Sequence, residues 1–301
     1  MICIPNELLE LLEKENIKLA RDADVASRSS FKIGGVAALA VFPDSREKLV
    51  SALRLLYSFG IRTEVIGNAS NVLFAFDLFD GALVFTGDVS DHTVEGTRIT
   101  ASCGASLTRI ARVAAENSLS GLEFAYGIPA QVGGAVFMNA GAYGSCVGEV
   151  IESSLAYDAK NDRVVKINDH GFDYRSSVYS RSEQLYCLEV TLLLKKGARE
   201  EIEDKMNANM RSRKDSQPLE YPSAGSYFKR PLGHFAGKLI EDAGLKGTSV
   251  GDAEVSTKHA GFIINRGNAS FGDVLGLEQK IKEKIMSLYG VALEREVRLI
   301  K

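Results

Sequence analysis

Seven glycines fall in the 28 residues from Gly121 to Gly148 and six in the 27 residues from Gly225 to Gly251, so nearly half of the chain's 28 glycines lie in 55 of its 301 positions. The first block is apolar and, apart from Glu123, uncharged. A solvent loop would carry more Ser, Asp and Lys. Bare backbone among small apolar neighbours suits either a tight helix–sheet contact or the close approach of a flat ligand or phosphate. A second glycine-bearing turn, Gly67-Asn68-Ala69-Ser70-Asn71, follows the apolar run Val65-Ile66. Such a turn can aim several backbone N–H groups at one point, with Ser70 and Asn71 adding side-chain donors, which suits a pyrophosphate. It also reads as a plain surface turn. Two such loops in one chain favour a large bound cofactor over packing alone.

Composition removes other classes. The chain is 45% hydrophobic and 25% charged with a formal net charge of −3. That is too apolar for a disordered chain and too balanced for a polyanion binder, so no nucleic-acid partner is expected. No apolar run approaches the roughly 18 residues of a membrane span. Met1 to Lys18 carries acids within its apolar stretch, unlike a signal peptide. Cys3, Cys103, Cys146 and Cys187 form no CxxC pattern, and His92, His170, His234 and His259 have no metal spacing, so neither a metal site nor a disulfide scaffold is expected. A soluble cytoplasmic protein is the default, and the length suggests about two or three domains.

Hydrophobic periodicity organises the chain in three parts. Residues 1–87 alternate helix and strand: a helix capped by Asn6, a strand Ala37 to Phe42, a helix capped by Asp44 or Ser45 and stopped at Gly60, and strands Ile61 to Ile66 and Leu83 to Thr86. Residues 88–205 open on a hairpin turning at Gly96, continue through a helix from Ser106 to Ser118, and return to strands at Val150 to Asp158, Val164 to Ile167 and Leu185 to Leu194. A charged helix, Ala198 to Lys214, leads out. Residues 206–301 contain an extended Gln217 to Pro222 segment, helices Ala236 to Asp242 and Phe271 to Tyr289, and strands Gly261 to Asn265 and Ala292 to Ile300.

Short motifs discriminate little. There is no GxGxxG fingerprint. Gly233 to Leu239 resembles a phosphate loop but is one residue short and lacks the hydroxyl after Lys238; Gly237 fits close helix packing and Lys238 a solvated or paired charge. Ser226-Tyr227-Phe228-Lys229 matches SxxK, yet so does Ser29 to Lys32, and neither is accompanied by SDN or KTG.

Longer blocks resemble the UDP-N-acetylenolpyruvoylglucosamine reductases, flavoenzymes of bacterial peptidoglycan precursor synthesis. They are Ser30 to Gly35; Gly67 to Leu73; Gly121 to Phe124 continuing through Gly127 to Gly144; Tyr174-Arg175-Ser176-Ser177; Ser223 to Lys229; Ala236 to Glu241; Lys258-His259-Ala260; and Leu293 to Arg298. They occur in the family's order. The short span between Arg175 and Ser226 is similar to the shorter, second type of this family. The resemblance implies an α+β protein: a vanillyl-alcohol-oxidase-type FAD-binding fold of two subdomains, 1–87 and 88–205, plus a C-terminal α+β substrate domain, 206–301. It implies Ile33, Gly67, Asn68, Ala69, Ser70, Asn71, Gly127, Ile128, Pro129, Gly133, Gly134 and Ala135 as flavin contacts. FAD is expected to be non-covalent, since neither flavin loop contains a His. The implied substrate contacts are Tyr174, Lys229, His259 and, for the UDP diphosphate, a basic residue among Arg211, Arg213 and Lys214, of which Arg213 aligns best with the second type. Two departures stand out: Asn68 and Ala69 replace family glycines, so Asn68 is expected to take over a glycine dihedral, and Arg230 replaces an Asn before Pro231.

The implied reaction is reduction of the enolpyruvyl ether of UDP-N-acetylglucosamine enolpyruvate, with NADPH as hydride donor and FAD as carrier, in the bacterial cytoplasm. It serves cell-wall biogenesis, and through it cell shape and division. Hydride reaches the β-carbon, and charge builds at the α-carbon and its carboxylate. Fixed positive charge must face the carboxylate and a proton donor the α-carbon. Arg175 fits the first role because a guanidinium binds carboxylate in a fork. Ser226 fits the second, and a protonated Glu296 could stabilise the enol form. Another FAD-dependent oxidoreductase on the same fold is the alternative.

Overall fold

A computed structural model describes residues 4–301; Cys3 lies outside the described residues. The chain forms two compact units, each drawn from separated stretches. One runs to Ala23 and continues through Ala38–Asn68 and Asp80–Ser212; the other comprises Asp24–Ala37, Ala69–Phe79 and Arg213–Lys301.

The first unit holds two sheets. Four strands lie in the order Lys18–Asp24, Val36–Phe42, Leu78–Phe85, Thr63–Ile66. The last two run parallel, with Ile66 opposite Phe85, so both strands deliver their following loops to one end of the sheet. Helices Asn6–Lys14 and Arg46–Ser58 bury Leu8, Leu12, Leu49, Leu53 and Leu56 against Leu39, Val41, Ala82 and Val84. Each such side chain contributes about 2 kcal/mol on leaving water. The second sheet is antiparallel, in the order Arg163–Ile167, Ile151–Asp158, Leu185–Leu193, Arg98–Ser102, His92–Glu95. Its helices, Leu107–Glu116 and Val132–Phe137, close a core of Ile110, Ala114, Val132, Val136 and Val190.

The second unit is built on the antiparallel sheet Ser223–Ser226, Phe262–Asn265, Ala253–Val255, Ser249–Val250. Helices Ala236–Asp242 and Phe271–Tyr289 pack with it through Leu239, Ile240, Ile263, Val274, Leu277 and Ile281. Val72–Phe74 and Arg298–Ile300 add a parallel pair in this unit.

Local capping follows the sequence with one correction. Ser45 and Ser106 accept from the backbone of Lys48 and Arg109, and Ser270 forms a reciprocal capping box with Asp273. Asn6 does not cap: Pro5 occupies that position and Asn6 is already helical. The Lys18–Asp24 strand escapes the hydrophobic pattern because it is a sheet edge with no buried residue. The closing strand is shorter than its apolar pattern, spanning only Arg298–Ile300. No helix among the described residues is long and apolar enough to cross a membrane.

Candidate active site

In the first unit the two glycine-bearing loops meet. The Asn68 side-chain amide donates to Pro129 O at 2.9 Å. A Cβ added to Gly67 would lie 3.0 Å from Gln131 Oε1, which also accepts from Thr86 Oγ1 at 2.7 Å. Gln131 therefore spans the ends of both parallel strands and the second loop. It was not singled out from sequence, although it is the lone amide side chain between Gly127 and Phe137. Thr108 holds the same loop from the other side, donating to Ile128 O at 3.1 Å and accepting from Gly127 N at 3.2 Å.

The paired glycines divide their roles. A Cβ on Gly133 would stand 2.9 Å from Cys103 Cβ and 3.1 Å from Cys103 O, and Gly133 N donates to that carbonyl at 2.7 Å. Gly133 thus permits helix–strand packing. Gly134 is exposed, and an added Cβ would meet nothing within 4 Å, so its bare backbone borders open space. Open space over Gly134, beside two joined loops, fits a flat cofactor such as FAD.

Arg175 sits at a strained turn of the same unit. Asp173 and Ser176 exchange backbone hydrogen bonds at 3.1 Å, and Arg175, third in the turn, has φ +55. Glycine or Asn is the usual occupant of that dihedral. Asn139, 9% exposed, donates to Asp173 O at 3.1 Å and accepts from Gly148 N at 3.0 Å, holding the turn from below. The guanidinium lies over the exposed Tyr174 ring at 5.0 Å and donates to Gly141 O at 3.5 Å. The segment's ends are tied by a buried trio: Ser154 Oγ lies 2.7 Å from His170 Nε2 and 2.6 Å from the Tyr179 hydroxyl. Burial lowers the His170 pKa, with Asp169 opposing.

The second unit brings the remainder of the first loop to Glu296. Asn71 Nδ2 donates to Glu296 O at 3.3 Å, and Arg298 N donates to Asn71 O at 2.9 Å. Ser30 Oγ bonds Ala69 O at 3.0 Å and Ser223 O at 2.9 Å. The left-handed residue of this loop is Ala69, with φ +46, rather than Asn68; the expectation for Asn68 is corrected by one position. Ile33 is 3% exposed and its side chain is spent in the core, leaving only backbone for a ligand.

Ser226 is exposed and follows Gly225, whose φ is +78. Ser223 pairs with Ile264 but Ser226 with Phe262, so one extra residue bulges between them and re-aims the serine. Tyr227 and Arg295, the neighbours of Ser226 and Glu296, converge on Glu278. The Tyr227 hydroxyl and Arg295 Nε both reach Glu278 Oε2 at 2.7 Å, and Arg295 Nη2 reaches Oε1 at 2.9 Å. Burial raises the Glu278 carboxyl, but bonds from Arg295, Lys282 and Tyr227 outweigh it and hold the pKa low. Sequence reading missed this trio; its signal was an acid on the apolar face Val274, Leu277, Ile281, Ile285.

Of the implied substrate contacts, Lys229 pairs with Glu294 at 3.2 Å. His259 Nδ1 accepts from Gly261 N at 3.1 Å, its ring meets Phe262 edge-on, and burial lowers its pKa. Arg213 lies in the last turn of Arg199–Ser216, and Tyr174 is exposed. Lys238 pairs with Asp242, and Gly237 closes on Gly261 and His259, the packing alternative to a phosphate loop. Among the described residues no group of three His, Cys, Asp or Glu could hold a metal.

Two family models match the chain: FAD binding domain over residues 37–166, and UDP-N-acetylenolpyruvoylglucosamine reductase, C-terminal domain, over 217–300. The UDP-N-acetylenolpyruvoylglucosamine reductase of Clostridium novyi is 43% identical over 301 residues, covering 99% of this chain and 97% of its own. That of Caldicellulosiruptor saccharolyticus is 44% identical over 293 residues, covering 96% and 94%. The crystal structure of UDP-N-acetylenolpyruvylglucosamine reductase from Thermus caldophilus superposes with a TM-score of 0.80 at 31% identity, over 95% of this chain and 99% of that one. An alkyldihydroxyacetonephosphate synthase structure shares the fold over 64% of this chain and 41% of its own, with a TM-score of 0.50 and 11% identity.

Proposed function

Because the chain belongs to the UDP-N-acetylenolpyruvoylglucosamine reductase family, we propose that it reduces UDP-N-acetylglucosamine enolpyruvate to UDP-N-acetylmuramate with NADPH, using Arg175, Ser226 and Glu296. The chain is an FAD-containing oxidoreductase with the α+β, vanillyl-alcohol-oxidase-type flavin fold and an α+β C-terminal domain. The proposed division into 1–87, 88–205 and 206–301 and a place in the bacterial cytoplasm go with this reading. So do NADPH over NADH and non-covalent FAD.

The observation that most supports the reading is the Asn71 to Glu296 hydrogen bond at 3.3 Å, which joins a proposed flavin contact to the backbone of a proposed catalytic residue. Gly67, Asn68, Gly127, Ile128, Pro129, Gly134 and Ala135 are proposed to contact FAD, with Gly133 acting through packing, and Ile33 (through its backbone), Ala69, Ser70 and Asn71 are proposed as further flavin contacts. Bound FAD would supply the hydride chemistry, at N5, that links NADPH to the enolpyruvyl β-carbon. The residues supply the rest. Arg175 forks the substrate carboxylate and stabilises its gathering charge. Ser226 Oγ gives its proton to the α-carbon, completing the lactyl ether, and being exposed it regains a proton from water. Glu296, in its protonated form, donates to the carboxylate and favours the enol. Tyr174, Arg213, Lys229 and His259 are proposed to line the UDP-sugar.

Anaerobic stopped-flow measurement of the two half-reactions tests this. Ser226→Ala should reduce its flavin with NADPH at the wild-type rate and oxidise it with the enolpyruvyl substrate about 100-fold or more slowly. Equal loss of both half-reactions overturns the role of Ser226. NADPH consumption that does not depend on the UDP-sugar enol ether would point to another flavin oxidoreductase on this fold.

A further inference from the structure

We infer that Glu278 is a positioning residue that holds the Ser226 strand and the Glu296 segment in one fixed relation, an inference that rests on the proposed roles of Ser226 and Glu296. Residues 227–229 and 294–296 run antiparallel: Phe228 bridges Arg295, Glu296 N donates to Tyr227 O at 2.9 Å, and Lys229 N to Glu294 O at 2.8 Å. Side chains alternate in extended backbone. Ser226 is exposed and Glu296 partly so, while Tyr227 and Arg295, one position inward, turn to the core. Both end on one carboxylate, Glu278, 3% exposed on the Phe271–Tyr289 helix and also bonded by Lys282 at 2.5 Å.

A set of well-packed apolar side chains in place of the whole cluster would serve stability as well as these buried ions. The carboxylate adds direction. Its oxygens accept only along defined lines, so the Tyr227 hydroxyl and the Arg295 fork cannot shift independently. The Phe271–Tyr289 helix thereby sets the spacing of the segments that carry Ser226 and Glu296, through the Tyr227 and Arg295 side chains. Misplacement of about 1 Å by a remote change can slow a reaction about 100-fold.

The test uses the FAD-loaded protein and two variants. Glu278→Gln keeps volume but opposes an NH2 group to the guanidinium. Tyr227→Phe keeps the Glu278–Arg295 pair and deletes one hydroxyl. Both should reduce their flavin with NADPH at the wild-type rate. Both should oxidise it with the UDP-sugar enol ether about 10- to 100-fold more slowly, with KM for that substrate within about threefold of wild type. In a Ser226→Ala background, Glu278→Gln should cost clearly less than it does in the wild type, because one of the two groups it acts through is already gone. A general folding defect would slow both half-reactions and lower flavin content, and that pattern in both variants overturns the inference. Wild-type oxidation in both variants, with Ser226→Ala slow, overturns it too, as does a full multiplicative effect in the double variant. If Glu278→Gln does not fold, Tyr227→Phe alone decides. Wild-type oxidation by Ser226→Ala is a different failure: it removes the Ser226 assignment, and the inference falls with its premise.

Discussion

The side-chain amide of Asn68 donates to the carbonyl oxygen of Pro129 at 2.9 Å, joining two glycine-bearing loops that stand 61 positions apart. The bond is exposed, so its net contribution is about 1 kcal/mol. Asn68→Ala should therefore leave the fold intact and weaken FAD retention about fivefold, read from flavin fluorescence on dilution. Retention equal to wild type would mean that the loops hold the cofactor independently.

Gly133 and Gly134 should respond differently to the same substitution. Gly134→Val projects into open space, so its flavin-free thermal midpoint should match that of flavin-free wild type, while bound flavin, measured by visible absorbance, is lost. Gly133→Val drives carbon into Cys103 and should lower stability by about 1–3 kcal/mol through overpacking. Unchanged flavin content in Gly134→Val would remove this glycine from the cradle.

Ala69 carries a left-handed dihedral, φ +46, that costs an L-residue about 1–2 kcal/mol. Ala69→Gly relieves this and adds back roughly 0.4–1 kcal/mol of unfolded-chain entropy. The expected result is a midpoint about 1–3 °C higher by calorimetry. A lower midpoint would show that the Ala69 methyl group, buried in the loop, contributes more than the strain removes.

Arg175 pairs strain with a proposed role, holding φ +55. Arg175→Gly should be slightly more stable than wild type, yet turn over the enolpyruvyl substrate at least about 100-fold more slowly. Arg175→Lys keeps the charge, loses the fork, and should fall between the two in steady-state kcat. A stable, fully active Arg175→Gly would end the carboxylate assignment.

His170 should make stability pH-dependent. Burial lowers its folded pKa below the ordinary imidazole value of about 6.5, so the unfolded chain binds a proton first as pH falls. The associated stability is complete above about pH 6.5 and erodes as pH drops below it. Urea midpoints should fall between pH 7 and pH 5, and less steeply in His170→Gln. Parallel wild-type and variant curves would place the effect elsewhere, with His259, lowered by burial in the same direction, next to be tested.

Much of the fold was legible in the chain because it rests on local rules. Leu49, Leu53 and Leu56 fall at helical spacing behind Ser45, Gly96 turns a hairpin, and Ser270 opens a helix with Asp273. What was hidden lies where local pattern says nothing. The Lys18–Asp24 edge strand buries no residue, and the Gly225 bulge announces itself only as one more glycine. The proposed flavin loops and the proposed roles of Arg175, Ser226 and Glu296 came from matched blocks, not from periodicity.

The amino-acid order by itself determined which segments are helix and strand, where the bare backbone lies, and which family the blocks belong to. Tertiary structure decided which glycine of a pair is spent on packing and which faces space. It also moved the left-handed dihedral from Asn68 to Ala69 and tied Tyr227 and Arg295 to one carboxylate. The reason is range: periodicity and capping act within a few residues, whereas contacts such as Tyr227 to Glu278 or Asn71 to Glu296 depend on where the whole chain has brought its distant parts.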